Sequence, residues 1–196
     1  QRATYSMLAA HQVPPPGADT EFADMRAAYE ALSPKMKDRL ESLSAEHSIW
    51  YSRVVGGMAE VSDDVKATRP PAVHPLININ PRTGQKSLYL ASHASQVIGM
   101  PKDEGRALLD DLIVHATQPE FVYRHKWRVG DIAVWDNLQT MHRGVPFDDT
   151  KYPRGRRRRA MCQQTRREAY RGAQRREQRQ LGELLAGGLL TDIVPA

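Results

Sequence analysis

The sequence predicts a mainly β domain with inserted helices, of barrel or jelly-roll type. Three observations carry this. After Pro119 the pattern has a period of two, with Phe121, Tyr123, His125 and Trp127 pointing one way and Val122, Arg124, Lys126 and Arg128 the other. Residues 73–79 and 86–91 read as two strands joined by Pro81-Arg82-Thr83-Gly84, a turn signature. Helical periodicity is confined to three stretches, so strands and turns dominate.

Each element has a local reason. Residues 3–10 alternate, with Ala3, Tyr5, Met7 and Ala9 on one side and Thr4, Ser6 and Leu8 on the other, which predicts a short strand. Pro14-Pro15-Pro16-Gly17-Ala18-Asp19 ends it in a turn. Met25, Ala28, Tyr29 and Leu32 fall at helical spacing and predict an amphipathic helix. Ser33-Pro34 restarts a helix, with Ser33 as N-cap, Pro34 in the first turn, and Met36, Leu40 and Leu43 as its apolar side. Residues 54–72 carry two glycines and then Arg69-Pro70-Pro71, which predicts a long loop of the kind that forms lids or binding loops. Leu108, Leu109, Leu112, Ile113 and Ala116 make one helical face between residues 103 and 117. Gly130-Asp131 turns the chain into a strand over Ile132 to Trp135, and Arg154 to Met161 can form a further strand. The apolar stripes are core, and no internal repeat is visible.

Charge divides the chain. From Lys151 onward there are 12 Lys/Arg against 4 Asp/Glu, whereas the first 150 residues hold 16 against 19. The net charge of +5 and the high isoelectric point therefore describe the tail and say little about what the body binds. Charged residues at 26% and a mean hydropathy of −0.59 disfavour a wholly disordered chain. No apolar run approaches the ~20 residues of a spanning helix. A single cysteine, Cys162, excludes an internal disulfide and a thiolate zinc site. The chain opens without an initiator Met, a basic segment or an apolar segment, which reads as no targeting peptide and a cytoplasmic location by default. The missing Met also leaves room for a natural start upstream.

General motifs are absent. Seven histidines are present, none followed two residues later by Asp or Glu. There is no His-Glu-x-x-His, no glycine-rich phosphate loop and no serine nucleophile elbow. His115 on a helix and His125 on the aromatic side of a strand read as structural.

A more specific pattern is spread along the chain. Its parts are Gly17-Ala18-Asp19-Thr20-Glu21-Phe22, His74-Pro75-Leu76, Thr83-Gly84-Gln85-Lys86-Ser87-Leu88-Tyr89, His115-Ala116-Thr117-Gln118-Pro119-Glu120-Phe121, Gly130-Asp131, and Trp135-Asp136-Asn137 followed by His142. In order and spacing these resemble the taurine dioxygenase-like family of Fe(II)- and 2-oxoglutarate-dependent dioxygenases. The resemblance runs from residue 2 to about residue 160, and the Ser-Leu-Tyr-Leu, Ile-Gly-Met and Met-His-Arg-Gly segments are most similar to its phenoxyacetate branch.

The resemblance implies a double-stranded β-helix, or jelly roll, and a non-haem iron enzyme. Such an enzyme consumes O2 and 2-oxoglutarate, releases succinate and CO2, and hydroxylates a small organic acid of aryloxyalkanoate or sulfonate type. It implies that His142 is the distal ligand of an Fe(II) facial triad, and that Thr20 helps bind 2-oxoglutarate. Arg154, twelve residues after His142, would pair with the distal carboxylate of the co-substrate, a bidentate task that suits guanidinium. Arg158 would face the acidic group of the primary substrate, with Arg157 and Arg159 as alternatives. If residues 154–158 are extended, Arg154 and Arg158 share a face roughly 13 Å apart, at ~3.3 Å per residue.

The family's His-x-Asp pair would lie upstream of Tyr5, ahead of residue 1. The expectation is therefore a jelly roll incomplete at its N-terminus, with residues 1–160 as the C-terminal portion of a catalytic domain. Residues 161–196 are expected to be an atypical basic tail, helical or disordered. Such a portion exposes unpaired edges and part of an apolar core, so a partner chain or homo-oligomer is expected to cover them. Two other classes compete. A non-catalytic binding protein on the same β remnant would explain one ligand in place of three. A nucleic-acid binder would use the basic tail, with salt-dependent phosphate contacts; only Tyr152 and Tyr170 supply aromatic rings there, which argues against it.

Overall fold

Alternation over Ala3–Ala10 does produce a strand, β1, and its inward side is the polar one. Thr4 and Ser6 are buried. The Asn137 side chain donates from Nδ2 to Ser6 Oγ at 2.9 Å and to Ala3 O at 3.2 Å, as buried polar atoms require. The computed structural model describes residues 3–13 and 18–146, and the backbone of 156–162. The elements run β1 (Ala3–Ala10), β2 (Thr20–Asp24), α1 (Met25–Glu30), α2 (Pro34–Glu41), β3 (Ser44–His47), α3 (Ile49–Val55), α4 (Asp63–Ala67), β4 (Ala72–Pro75), β5 (Ile77–Ile79), β6 (Lys86–Leu88), β7 (Ala94–Val97), α5 (Lys102–Ala116), a 3-10 turn (Pro119–Phe121), β8 (Val122–His125), β9 (Ile132–Asp136), β10 (Thr140–Gly144) and β11 (Arg156–Cys162).

All pairings between these strands are antiparallel. One sheet has the order β11-β1-β9 and a second has β10-β2-β8. They meet through side chains: the Phe22 ring of β2 lies 5.2 Å from the Trp135 ring of β9. This is the jelly-roll arrangement of two facing sheets. A third sheet, β4-β3-β7, and the β5-β6 hairpin carry the helices. The hairpin turns on Gly84, whose φ of 70° is a left-handed conformation that glycine adopts at no steric cost. Its tip is closed by Asn80 N donating to Gln85 O and Gly84 N donating to Asn80 O, at 2.9 and 2.8 Å.

The apolar core lies between the helices and this second layer. Met25 and Ala28 of α1, Leu40 of α2, Leu76, Leu88, and Leu109 and Leu112 of α5 are buried together. Ser33 caps α2, its Oγ accepting from Met36 N at 3.2 Å, and Pro34 occupies the first turn as expected. Gly105 lets α5 press against β7, since a Cβ there would stand 3.1 Å from Val97 N. Leu109 is fully buried on the α5 face. Leu109→Ala is expected to lower unfolding stability by about 2–5 kcal/mol, read from a urea denaturation midpoint with an unchanged slope.

Several sequence expectations need correction. The stretch 54–72 is not a plain loop, because α3 extends into it and α4 lies within it. The helices therefore number five among the described residues, where periodicity indicates three. Neither α3 nor α4 buries a side chain, so neither shows an apolar stripe. The expected strand over 73–79 breaks at Leu76, whose N–H donates to Leu43 O at 2.9 Å, and its halves join different sheets. Strands β2, β3 and β7 have no clear signal in sequence; β2 and β3 owe their form to partners on both sides, and the edge strand β7 to β3 and to α5 packed against it. The Pro14–Gly17 part of the expected turn, Arg154, and the 163–196 part of the tail lie outside the described residues.

Candidate functional site

The candidate site forms on the inner face of β10-β2-β8. Strand alternation turns Thr20 and Phe22 of β2 to one face and Glu21 and Ala23 to the other. Register then sets the neighbours: Phe22 lies opposite His142 and Tyr123, while Thr20 lies opposite Gly144 and His125. His142 and Thr20 are thus diagonal neighbours across one strand pair, within about 7–8 Å by strand geometry. The His142 ring sits between Trp135, 4.7 Å away, and Phe22, 6.2 Å away and near-parallel. Thr20 is buried, and its Oγ1 accepts from Trp127 Nε1 at 3.0 Å.

The other face of the same sheet packs Ala23, Val122 and Met141 against the apolar core at one end and carries charge pairs at the other. Arg143 Nε donates to Glu21 Oε2 at 2.7 Å, and Arg124 Nε to Asp19 Oδ2 at 2.8 Å. Arg124 and Arg143 both lie directly across from Glu21, opposite charges that favour the register pairing Phe22 with His142. At the end of β2, Asp24 starts α1 by accepting from Arg26 N and Ala27 N, and its carboxylate pairs with the Arg26 guanidinium at 2.9 Å. Burial alone would raise the Asp24 carboxyl, but the Arg26 guanidinium and the two amides hold it below the usual carboxylate range. A cleft of about 340 Å³ opens here, bounded by Phe22, Arg26, Phe121, Tyr123, Asp136 and Gln139.

Of the residues expected from sequence, Thr20 and His142 are brought together. Arg158 is placed by its backbone alone, opposite Leu8 in the β11–β1 pairing. Arg154 lies outside the described residues. Among the described residues no three His, Cys, Asp or Glu side chains could hold a metal ion. His142 is thus one imidazole, and the residues described here do not make a metal site by themselves. His115 is structural as expected, its Nε2 lying 2.8 Å from Ala28 O.

Sequence reasoning missed the walls of the site, Phe22, Trp127 and Trp135, because each belongs to a different strand or connection. It also missed a second cluster. The ring of His47 lies 5.5 Å from His74, 5.2 Å from His93 and 5.3 Å from Tyr89. Their wide separation in sequence gives no motif. Burial, and then the charge His74 would carry, push the His93 imidazole below the ordinary value of 6.5. A histidine with a lowered folded pKa takes up more protons when unfolded. Its contribution is therefore present in full above pH 6.5 and is lost as pH falls from there through the folded pKa. A lower melting temperature is expected at pH 5.5 than at pH 7.5 by calorimetry, with a smaller pH dependence in His93→Gln.

The two facing antiparallel sheets, with His142 on the inner face of one, define a jelly-roll fold. A family model described as taurine catabolism dioxygenase TauD, TfdA family, matches residues 1–162, and the chain belongs to that family. It is 49% identical over 148 residues to the alpha-ketoglutarate-dependent 2,4-dichlorophenoxyacetate dioxygenase of Burkholderia sp. (strain RASC), covering 76% of this chain and 50% of the relative. It is 39% identical over 152 residues to an (S)-phenoxypropionate/alpha-ketoglutarate-dioxygenase of Sphingobium herbicidovorans, covering 74% and 53%. Among solved structures, AAD-2 in complex with Mn(II) and N-oxalylglycine superposes with a TM-score of 0.79 at 48% identity, over 81% of this chain and 63% of that one. A taurine dioxygenase from Burkholderia xenovorans superposes with a TM-score of 0.66 at 31% identity, over 81% and 52%. The chain spans about half the length of the curated relatives it matches. No helix among the described residues is long and apolar enough to cross a membrane.

Proposed function

We propose that this chain is the C-terminal half of an Fe(II)- and 2-oxoglutarate-dependent dioxygenase that hydroxylates a small organic acid and releases succinate and CO2. The observation that carries the reading is the placement of Thr20 and His142 on one inner face, diagonal to each other, in a chain that matches the family over residues 1–162. His142 would contribute one imidazole to the metal, its ring packed between Phe22 and Trp135. The metal, when bound, supplies the oxygen chemistry; the residues of this chain bind and orient. Thr20 offers its hydroxyl to a carboxylate of 2-oxoglutarate, and Arg154 pairs with the distal carboxylate. Arg158 takes the acidic group of the primary substrate.

An aryloxyalkanoate is the favoured substrate, because relatives named for phenoxyacids match at 49% and 39% identity, whereas a relative named as a sulfonate dioxygenase matches at 36%. Hydroxylation beside the ether oxygen gives a hemiacetal, whose C–O bond breaks to release a phenol and leave the hydroxylated carbon as a 2-oxo acid. The test is succinate and phenol release by the complete enzyme with Fe(II), ascorbate, and a panel of aryloxyacetates, aryloxypropionates and sulfonates. Phenol in step with succinate is expected; succinate with sulfonates alone would overturn the substrate class. A non-catalytic reading is favoured only for residues 1–196 by themselves, where among the described residues no group of three His, Cys, Asp or Glu side chains could hold a metal ion. That chain alone is expected to release no succinate above a protein-free control.

A further inference from the structure

The bond between Trp127 and Thr20 has a direction. An indole N–H only donates, whereas a hydroxyl both donates and accepts. The 3.0 Å contact therefore occupies a lone pair of Thr20 Oγ1, and the hydroxyl hydrogen is directed away from Trp127. Threonine is stiff at χ1, so the hydroxyl rotor is the main freedom left to this side chain, and the indole restricts it. Trp127 is itself held. It is buried, two residues beyond β8, and the His125 ring meets it edge-on at 4.4 Å and 86°. His125 Nε2 lies 3.2 Å from Asp131 Oδ2. The connection that carries these residues is fastened to the facing sheet, since Gly130 N donates to Ala10 O and Ala10 N to Asp131 O, at 2.8 and 2.9 Å.

We propose that Trp127 is a positioning residue for 2-oxoglutarate: its indole N–H sets the Thr20 hydroxyl so that the hydroxyl hydrogen is presented to a carboxylate oxygen of the co-substrate. This rests on the reading of Thr20 given above. A donor aimed in advance needs no reorientation when the anion arrives, and a hydroxyl whose oxygen already accepts a hydrogen bond is polarised into a stronger donor. If Thr20 merely satisfied a buried indole, removing the N–H would alter stability and leave co-substrate binding unchanged.

The experiment is a double-mutant cycle in the complete enzyme. Trp127→Phe keeps an aromatic ring against His125 and removes the N–H. It is expected to raise the KM for 2-oxoglutarate about tenfold, with the KM for the organic acid and kcat at saturating 2-oxoglutarate nearly unchanged. Thr20→Ala should weaken 2-oxoglutarate at least as much, and the double variant no more than Thr20→Ala. Unchanged 2-oxoglutarate affinity in Thr20→Ala would overturn the reading of Thr20 itself. Normal affinity in Trp127→Phe beside a weakened Thr20→Ala, or losses that add in the double variant, would overturn the positioning role alone. Should Trp127→Phe fail to fold, the indole N–H resonance of Trp127 in the 15N-labelled wild-type enzyme decides the matter. It is expected to shift on saturation with 2-oxoglutarate, and an unmoved resonance would contradict the proposal.

Discussion

His142→Ala in the complete enzyme is expected to reduce succinate release to background and to stay there at saturating 2-oxoglutarate and organic acid. On the proposed reading His142 would be a metal ligand, and excess of either co-substrate could not replace its imidazole. The ring is also packed, with Trp135 at 4.7 Å and Phe22 at 6.2 Å. His142→Gln keeps much of that bulk and separates the two effects. Its melting temperature should stay close to the wild-type value while Mn(II) affinity, measured by equilibrium dialysis, is lost. Full activity in His142→Gln would show that the distal ligand lies elsewhere.

Arg154→Ala should produce the second largest effect, confined to one co-substrate. Losing a charge-assisted bidentate partner for a buried carboxylate costs roughly 2–5 kcal/mol, on the order of 30-fold to several thousand-fold in 2-oxoglutarate affinity. Arg158→Ala should instead weaken the organic acid and leave the 2-oxoglutarate requirement largely intact. Of the two, Arg158 lies among the described residues, its backbone opposite Leu8 in the β11–β1 pairing. Titration of both variants against both co-substrates gives the result. Equal effects of the two substitutions on both affinities would mean a register shifted by one residue, onto Arg157 or Arg159.

The parts of the fold that sequence revealed are those whose signal is local. Helix α5 shows Leu108, Leu109 and Leu112 at helical spacing, and all three are buried. Helix α2 announces its start with Ser33-Pro34, and the Ser33 cap is in place. Strand β2 shows the opposite case. Thr20–Asp24 has one large apolar residue, Phe22, and gains its form from β10 and β8, which lie far away in sequence. Helices α3 and α4 bury nothing, so periodicity could not reveal them.

The site divides in the same way. The family resemblance marks Thr20 and His142 residue by residue, and the register sets them diagonally across β2 and β10. Phe22, Trp135 and Trp127 were not legible, since what makes them walls of the site is the meeting of two sheets. His47, His74 and His93 look like isolated histidines in sequence and become a cluster only through β3, β4 and the segment before β7.

On the proposed reading the β2–β10 face is the co-substrate side of a dioxygenase site. A crystal structure of the complete enzyme with Mn(II) and N-oxalylglycine tests it most directly. An imidazole nitrogen of His142 is expected on the metal, and Thr20 Oγ1 within hydrogen-bond distance of a ligand carboxylate. Trp127 Nε1 is expected still to donate to that same hydroxyl. A metal bound away from His142, or an N-oxalylglycine molecule with no contact to Thr20, would contradict that reading.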